Sequence, residues 1–368
     1  MKKIHSINKN ILYCLILLLL TQYNTFAGNV RIIPTLDSSL DDNNSQVYCP
    51  TFLVTWNKIG KITGKPIELK SQPLLAKMLN KAKLPENVLP ENSYVAIAGP
   101  ANNATKQQLL KMLNKRFGKI KISLPLWHTF NQAVIFAYCY FQRSLSFPKR
   151  FLRSKNKPLK FTSSTGTHEV QFFGATKKTA GDYSSQVKIL NYKDKDNFSL
   201  RLTSKITNEF IVLTKMSKPQ TFMEGIKKIR QNFETKKSYF CIVTNNNKKI
   251  YYRNNLGEGD LLIIPIIDFS ITRNFSELCN KNFINHGFTN LWINNALQNI
   301  KFKLDETGAY VKSEAGIDIF CSPKMFKKRR FIFNKPFLVT LWKKNALQPY
   351  LALWVANNDI LLPFKKNN

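Results

Sequence analysis

Residues Ala133 to Phe141 read AVIFAYCYF, nine apolar or aromatic residues without a polar break. An amphipathic helix would interrupt such a run every third or fourth residue, and a half-buried strand would alternate. The run therefore predicts a strand buried on both faces. Such a strand needs a covering layer on each side, so the chain must build a layered core around it. It has the means: 43% of its 368 residues are hydrophobic, which excludes disorder over most of the length.

The rest of the pattern supports a sheet-rich protein. Strands are predicted at Val187–Tyr192, Phe198–Leu202, Phe210–Thr214, Tyr239–Val243, Leu261–Ile267, Ile300–Leu304, Phe337–Trp342 and Tyr350–Val355. Tyr94–Ala98 is one further short apolar run. Apolar spacing predicts helices over Thr51–Ile62, Ile67–Leu79, Thr105–Phe117, Phe222–Phe233 and Phe275–His286. Thr105 with Gln108 resembles a capping box. Helices crowd the first third and strands the remainder, which predicts an α+β fold with large, mostly antiparallel sheets.

The first 27 residues stand apart. Lys2, Lys3 and Lys9 precede the apolar run Ile11–Leu20, and Thr25-Phe26-Ala27 offers a small-residue cleavage site before Gly28. This is the pattern of a secretory signal peptide, and the run is shorter than the ~20 residues a membrane-spanning helix needs. The remainder, 28–368, is expected to be one extracellular domain. Loss of Cys14 with the leader leaves Cys49, Cys139, Cys241, Cys279 and Cys321, an odd number with no pairing evident. Sequons at Asn43, Asn103, Asn197 and Asn274 are candidate glycan sites in a eukaryotic secretory pathway.

Lys and Arg number 56 against 22 Asp and Glu, a formal charge of +34. Much of this excess is spread evenly, as on a solvated surface. Lys327, Lys328, Arg329 and Arg330 form its densest point and are candidates for contact with a sulfated glycan or another polyanion. No motif points to specific nucleic-acid binding. Catalytic signals are weak. The four histidines are His5, His128, His168 and His286, and no nucleophile-elbow, P-loop, zinc-protease or C-x-x-C pattern occurs. No enzyme, metal or cofactor is expected.

The order of motifs through the C-terminal third resembles the serpin family. Pro265–Ile271 is similar to a family strand. Gln298–Ala309 (QNIKFKLDETGA) is similar to the strand and hinge that precede the family's reactive loop. Phe333-Asn334-Lys335-Pro336-Phe337, followed by Tyr350–Val355, resembles the family signature, and it stands 25 residues after Gly308. Val187–Leu202, Lys106–Ile120 and Val47–Thr51 resemble further segments in the expected order. Coverage is about 45–364. Between Pro50 and Phe141 the chain is shorter than a typical member, so peripheral helices and an edge strand are expected to be missing. A buried Asn–His pair of the family falls here on Ala137 and Gln298. Both partners have changed together, which costs less than losing one.

The resemblance implies an α+β serpin-like fold: helices around a large central sheet, two smaller sheets and an exposed reactive-centre loop at about 306–332. It implies a suicide inhibitor of a serine protease, whose cut loop enters the central sheet as a new strand. It also admits a non-inhibitory member, or a basic polyanion-binding protein on the same scaffold. Hinge positions fall on Glu306, Gly308, Ala309, Val311 and Ser313. After Gly308 the inward set would be Ala309, Val311, Ser313, Ala315, Ile317 and Ile319, alternating with outward Tyr310, Lys312, Glu314, Gly316 and Asp318. Tyr310 and Lys312 are bulkier than the family's alanine-rich hinge. Counting forward from Glu306 puts the scissile bond near Ser322-Pro323, and counting back from Phe333 puts it at Met325-Phe326. Lys324-Met325 suits a trypsin-like target and Met325-Phe326 a chymotrypsin- or elastase-like one. Secreted protein should begin at Gly28. N-terminal sequencing that finds Met1 would remove the signal-peptide assignment.

Overall fold

A computed structural model describes residues 30–120, 134–143, 145–233, 239–243, 249–307 and 327–365. The chain opens with short strands β1 (Arg31–Ile33) and β2 (Gln46–Tyr48), then helices α1 (Thr51–Thr63) and α2 (Leu74–Lys81). Strand β3 (Tyr94–Pro100), helix α3 (Asn103–Phe117) and strand β4 (Val134–Arg143) follow. Four short strands come next: β5 (Leu152–Arg153), β6 (Leu159–Ser163), β7 (Gly166–Val170) and β8 (Phe172–Ala175). Three long ones, β9 (Val187–Asp194), β10 (Asn197–Thr203) and β11 (Glu209–Lys215), lead to helix α4 (Phe222–Arg230). The hairpin β12 (Tyr239–Val243) and β13 (Lys249–Arg253) precedes β14 (Leu261–Pro265), β15 (Ile267–Asn274) and β16 (Trp292–Leu304). The chain closes with β17 (Arg330–Ile332), β18 (Phe337–Lys343) and β19 (Leu351–Val355).

Two sheets carry the architecture, and the fold is α+β. The larger has seven strands in the order β1-β2-β19-β18-β11-β10-β9, antiparallel except for β1 with β2. Alternate residues of β18 face opposite ways, as a period of two requires. Val339 and Leu341 enter the main core, whereas Leu338 and Trp342 pack beneath Phe222 and Ile226 of α4 and beside Leu36 and Leu40. The second sheet has four strands in the order β15-β16-β4-β3. A third, β17-β14-β8-β5, also has four strands, and β6-β7 and β12-β13 are separate hairpins.

The unbroken apolar run forms β4. Ile135, Ala137, Cys139 and Phe141 face the main core, while Val134, Phe136, Tyr138 and Tyr140 meet Leu109 and Leu113 of α3. Both faces are buried, as the unbroken pattern requires. Helix α1 lies under the same sheet. Phe52, Thr55, Trp56, Ile59 and Thr63 form its buried stripe at helical spacing, and Gly64 at φ 90° ends it.

Three local expectations are corrected. Residues 67–73 are not helical: α2 begins only after Pro73, whose fixed φ suits the residue before a helix. Helix α3 is capped one turn earlier than Thr105, by the Asn102 side chain, which accepts from the Thr105 amide at 2.9 Å. The segment 275–286 is largely extended, with a single 3-10 turn at Ser276–Leu278. Its residues Leu69-facing Phe283 and Trp292-facing Asn282 form isolated bridges, and Asn280 turns the chain at φ 54°. Phe275, Leu278 and Phe283 are all buried, so three apolar residues at spacings of three and five mimic a helical stripe. Phe275 stacks on Phe52 with ring centroids 3.9 Å apart. Phe275→Ala should lower stability by about 3–5 kcal/mol in chemical denaturation, the usual cost of deleting a buried aromatic ring.

Candidate functional site

The four-stranded sheet β15-β16-β4-β3 contains one parallel pair between two antiparallel ones. β16 runs antiparallel to β15, β4 runs antiparallel to β3, and β16 and β4 lie side by side in parallel. Their register extends from Trp292↔Val134 to Phe302↔Arg143, with one bulge at Ile293/Asn295. At mid-ladder the small residues Ala296 and Ala137 face each other, both fully buried. Gln298, paired with Cys139, leaves the ladder with its side chain. Its Nε2 donates to the Cys49 carbonyl at 3.0 Å and to Thr51 Oγ1 at 2.8 Å. The polar link at this position therefore runs from β16 to the start of α1 instead of across the ladder.

The far end of β4 is fixed separately. Arg143 donates through Nε to Glu209 at 3.0 Å and through a second nitrogen to the same carboxylate. Tyr350 donates to Glu209 at 2.5 Å. All three side chains are buried, so each charge is satisfied by its neighbours. Burial, and then the Glu209 charge, hold the Tyr350 phenol well above its ordinary pKa.

β16 leads directly into the candidate hinge. Burial pushes the Asp305 carboxyl up, but Thr307 and Lys303 outweigh it and hold its pKa below the usual range. The Lys303 ammonium lies 2.9 Å from Asp305. Glu306 is 2% exposed. Its carboxylate receives Arg150 at 2.7 Å and Arg153 at 3.5 Å, and its carbonyl accepts from the Phe151 amide at 3.1 Å. Glu306 is thus held at β5, one edge of the third sheet.

The chain returns at the opposite edge of that sheet. β17 pairs in parallel with β14, and β14 is followed by β8 and β5. Three strand spacings, about 15 Å, separate the two edges. Between Thr307 and Lys327 the chain makes 20 residue steps, a contour of roughly 65–70 Å when extended. Connection across the sheet uses a small part of that length. The proposed hinge residues Gly308, Ala309, Val311 and Ser313, and the proposed reactive residues Lys324, Met325 and Phe326, lie outside the described residues.

The basic run divides in two. Lys327, Lys328 and Arg330 are exposed. Arg329 is 2% exposed and is not available to a polyanion, which corrects the expectation for that residue. Its guanidinium meets Asp260 at 2.9 Å and donates to the Arg253 and Asn255 carbonyls, while its amide donates to Asp260 at 2.8 Å. A second buried cation fixes the chain just beyond. Lys215 Nζ lies 2.9 Å from the Ile332 carbonyl, 2.8 Å from Asn334 Oδ1 and 2.8 Å from Asp196. Both ends of the 308–326 segment are therefore flanked by ion pairs with at least one buried partner, and Arg329–Asp260 is buried on both sides.

Sequence reasoning missed Arg150, Arg153, Asp260 and Lys215. Among 56 basic residues, nothing local distinguishes the few that meet a buried partner. The sequon residues Asn43, Asn103 and Asn274 are exposed, whereas Asn197 is half-buried. Among the described residues Cys49, Cys139 and Cys279 are free and buried. Burial pushes the Cys49 thiol up to about 12, so it is a poor nucleophile at neutral pH. No cluster of metal-ligand side chains occurs among the described residues, and no described helix is long and apolar enough to cross a membrane.

No protein-family model and no curated protein matches the sequence. The chain is similar in architecture to solved serpin structures. Native protease nexin-1 with heparin shares 11% identity, over 86% of this chain and 92% of that one, at a TM-score of 0.49. A highly specific serpin of the insect Tenebrio molitor shares 13% over 85% and 92%, at 0.45. Human thyroxine-binding globulin shares 12% over 85% and 92%, also at 0.45.

The pinning of the downstream arm is open to a double-mutant test. Asp260→Ala leaves Arg329 buried without its carboxylate and should cost about 3–5 kcal/mol in denaturant unfolding. Adding Arg329→Met should recover part of that loss. Equal stability of Asp260→Ala and the parent protein would show that the pair does not hold the segment.

Proposed function

We propose that this chain is a secreted serpin that traps a serine protease by loop cleavage and insertion. The observation that carries the reading is the parallel β4–β16 pair, next to a hinge that leaves β16 at its end. A strand that reverses direction after Leu304 and enters between β16 and β4 is antiparallel to both. The sheet would then be antiparallel throughout. The small facing pair Ala137 and Ala296 marks where the two strands can part with least repacking.

The segment offers the right strand. Ala309 to Ile319 is eleven residues, about 35 Å when extended, and β4 spans ten residues. Its alternation would set Ala309, Val311, Ser313, Ala315, Ile317 and Ile319 toward the core that holds α1. The scissile bond follows this stretch, and Lys324-Met325 or Met325-Phe326 are the bonds we favour. Cleavage within Lys327–Arg330 would require β17 to peel from β14 and Arg329 to leave Asp260, so that run is a weaker substrate.

A non-inhibitory role is the second reading, favoured by bulky Tyr310 and Lys312 and by the clamp on Glu306. Exposed Lys327, Lys328 and Arg330 support contact with a sulfated glycan or another polyanion in either case.

Incubation with trypsin-, chymotrypsin- and elastase-like proteases should give an SDS-stable covalent complex with at least one, and mass mapping should place the cut at 324–326. Cleavage of the segment by every protease without any complex would favour the non-inhibitory reading. Ala309→Arg would bury an unpaired charge on insertion, at a cost of several kcal/mol. It should convert inhibitor into substrate, whereas Tyr310→Arg, facing outward, should leave inhibition nearly intact. Equal loss from both would show that the register assigned here is wrong.

A further inference from the structure

At one end of the seven-stranded sheet, away from the β4–β16 pair, lies a cavity of about 380 Å³. That is within the size range of small-molecule sites. Its apolar wall is made by Met216, Pro336 and the indole of Trp354. Trp354 is 2% exposed, and its ring N–H has no hydrogen-bond partner, the only such buried side-chain donor among the described residues.

The charged wall has an excess of cations. Lys215, Lys218 and Lys335 face Asp42 and Asp196. Lys215 is saturated by Asp196, Asn334 and two carbonyls. Lys218 is held by Asp42 at 2.9 Å and by the Leu40 carbonyl. Lys335 has only a long contact, 3.6 Å, to an Asp196 already engaged by Lys215, and its side chain is 53% exposed. Lys335 is the cation free to turn toward a guest.

We propose that this cavity binds a small organic anion with an apolar body, an aliphatic or aromatic carboxylate. The body lies against Met216, Pro336 and Trp354, and the carboxylate meets Lys335 at the rim. Three ammonium groups against two carboxylates leave the wall net positive, which disfavours a cationic guest, and the apolar surface disfavours a bare inorganic anion. The inference does not depend on loop insertion, because none of the lining residues belongs to β4, β16 or the hinge.

Calorimetric titration of the full chain with 4-phenylbutyrate tests it, with 4-phenylbutanol as the neutral counterpart. The acid should bind saturably at one site, and the alcohol at least tenfold more weakly. Lys335→Glu, at an exposed position that should not affect folding, should weaken the acid at least tenfold. Lys327→Glu makes the same charge change outside the cavity and should leave its Kd unchanged. The proposal is overturned by any of three results: no saturable binding, equal affinity for acid and alcohol, or equal effects of the two substitutions, which would reduce binding to bulk charge.

Discussion

The parallel pairing of β4 with β16 is the constraint on which the rest of the structure depends. Two parallel strands cannot be joined by a tight turn, so the chain must travel far between them. Here it builds three strands of the third sheet, β9, β10 and β11 of the seven-stranded sheet, and α4 on the way. The result is a ladder whose two strands are each supported from outside, β4 by β3 and α3 and β16 by β15. Each partner can keep its own flank if the shared ladder opens. Under the proposed insertion one ladder would become two, adding roughly ten backbone hydrogen bonds at about 1 kcal/mol net each, a gain on the order of 10 kcal/mol.

In the proposed mechanism, ion pairs at the two ends of 308–326 keep that gain from being collected at once. Glu306 with Arg150 and Arg153 holds the upstream arm, and Arg329 with Asp260 and Lys215 with Asp196 hold the downstream arm. In the proposed reaction, severing one bond uncouples the upstream arm from the downstream anchors. The upstream arm would then need only to give up the contacts of Glu306, whereas the downstream arm would stay in its sheet.

Much of this was legible in the sequence, for physical reasons that differ between elements. Ala133–Phe141 was legible because a strand buried on both faces has no other pattern to imitate. The strands at 187–192, 198–202, 210–214 and 337–342 were legible because one face of each feeds a core. Residues 275–286 misled because Phe275, Leu278 and Phe283 are buried by tertiary contacts, not by a helical face. The charge pairs were hidden for the opposite reason. Arg150, Arg153 and Arg329 look like every other basic residue of a chain with charge +34, and only the fold brings them to the buried carboxylates of Glu306 and Asp260. The replacement at Gln298 showed which residue had changed, but its partners Cys49 and Thr51 came from the structure.

The central claim is that the intact chain is held short of its most stable sheet. Its most direct test is the melting temperature before and after a single cut between 320 and 326, with both fragments kept together. Insertion of the released arm predicts a large upward shift in Tm for the cut protein. A cut protein that melts at or below the intact one would contradict the account, because it would leave the β4–β16 ladder closed.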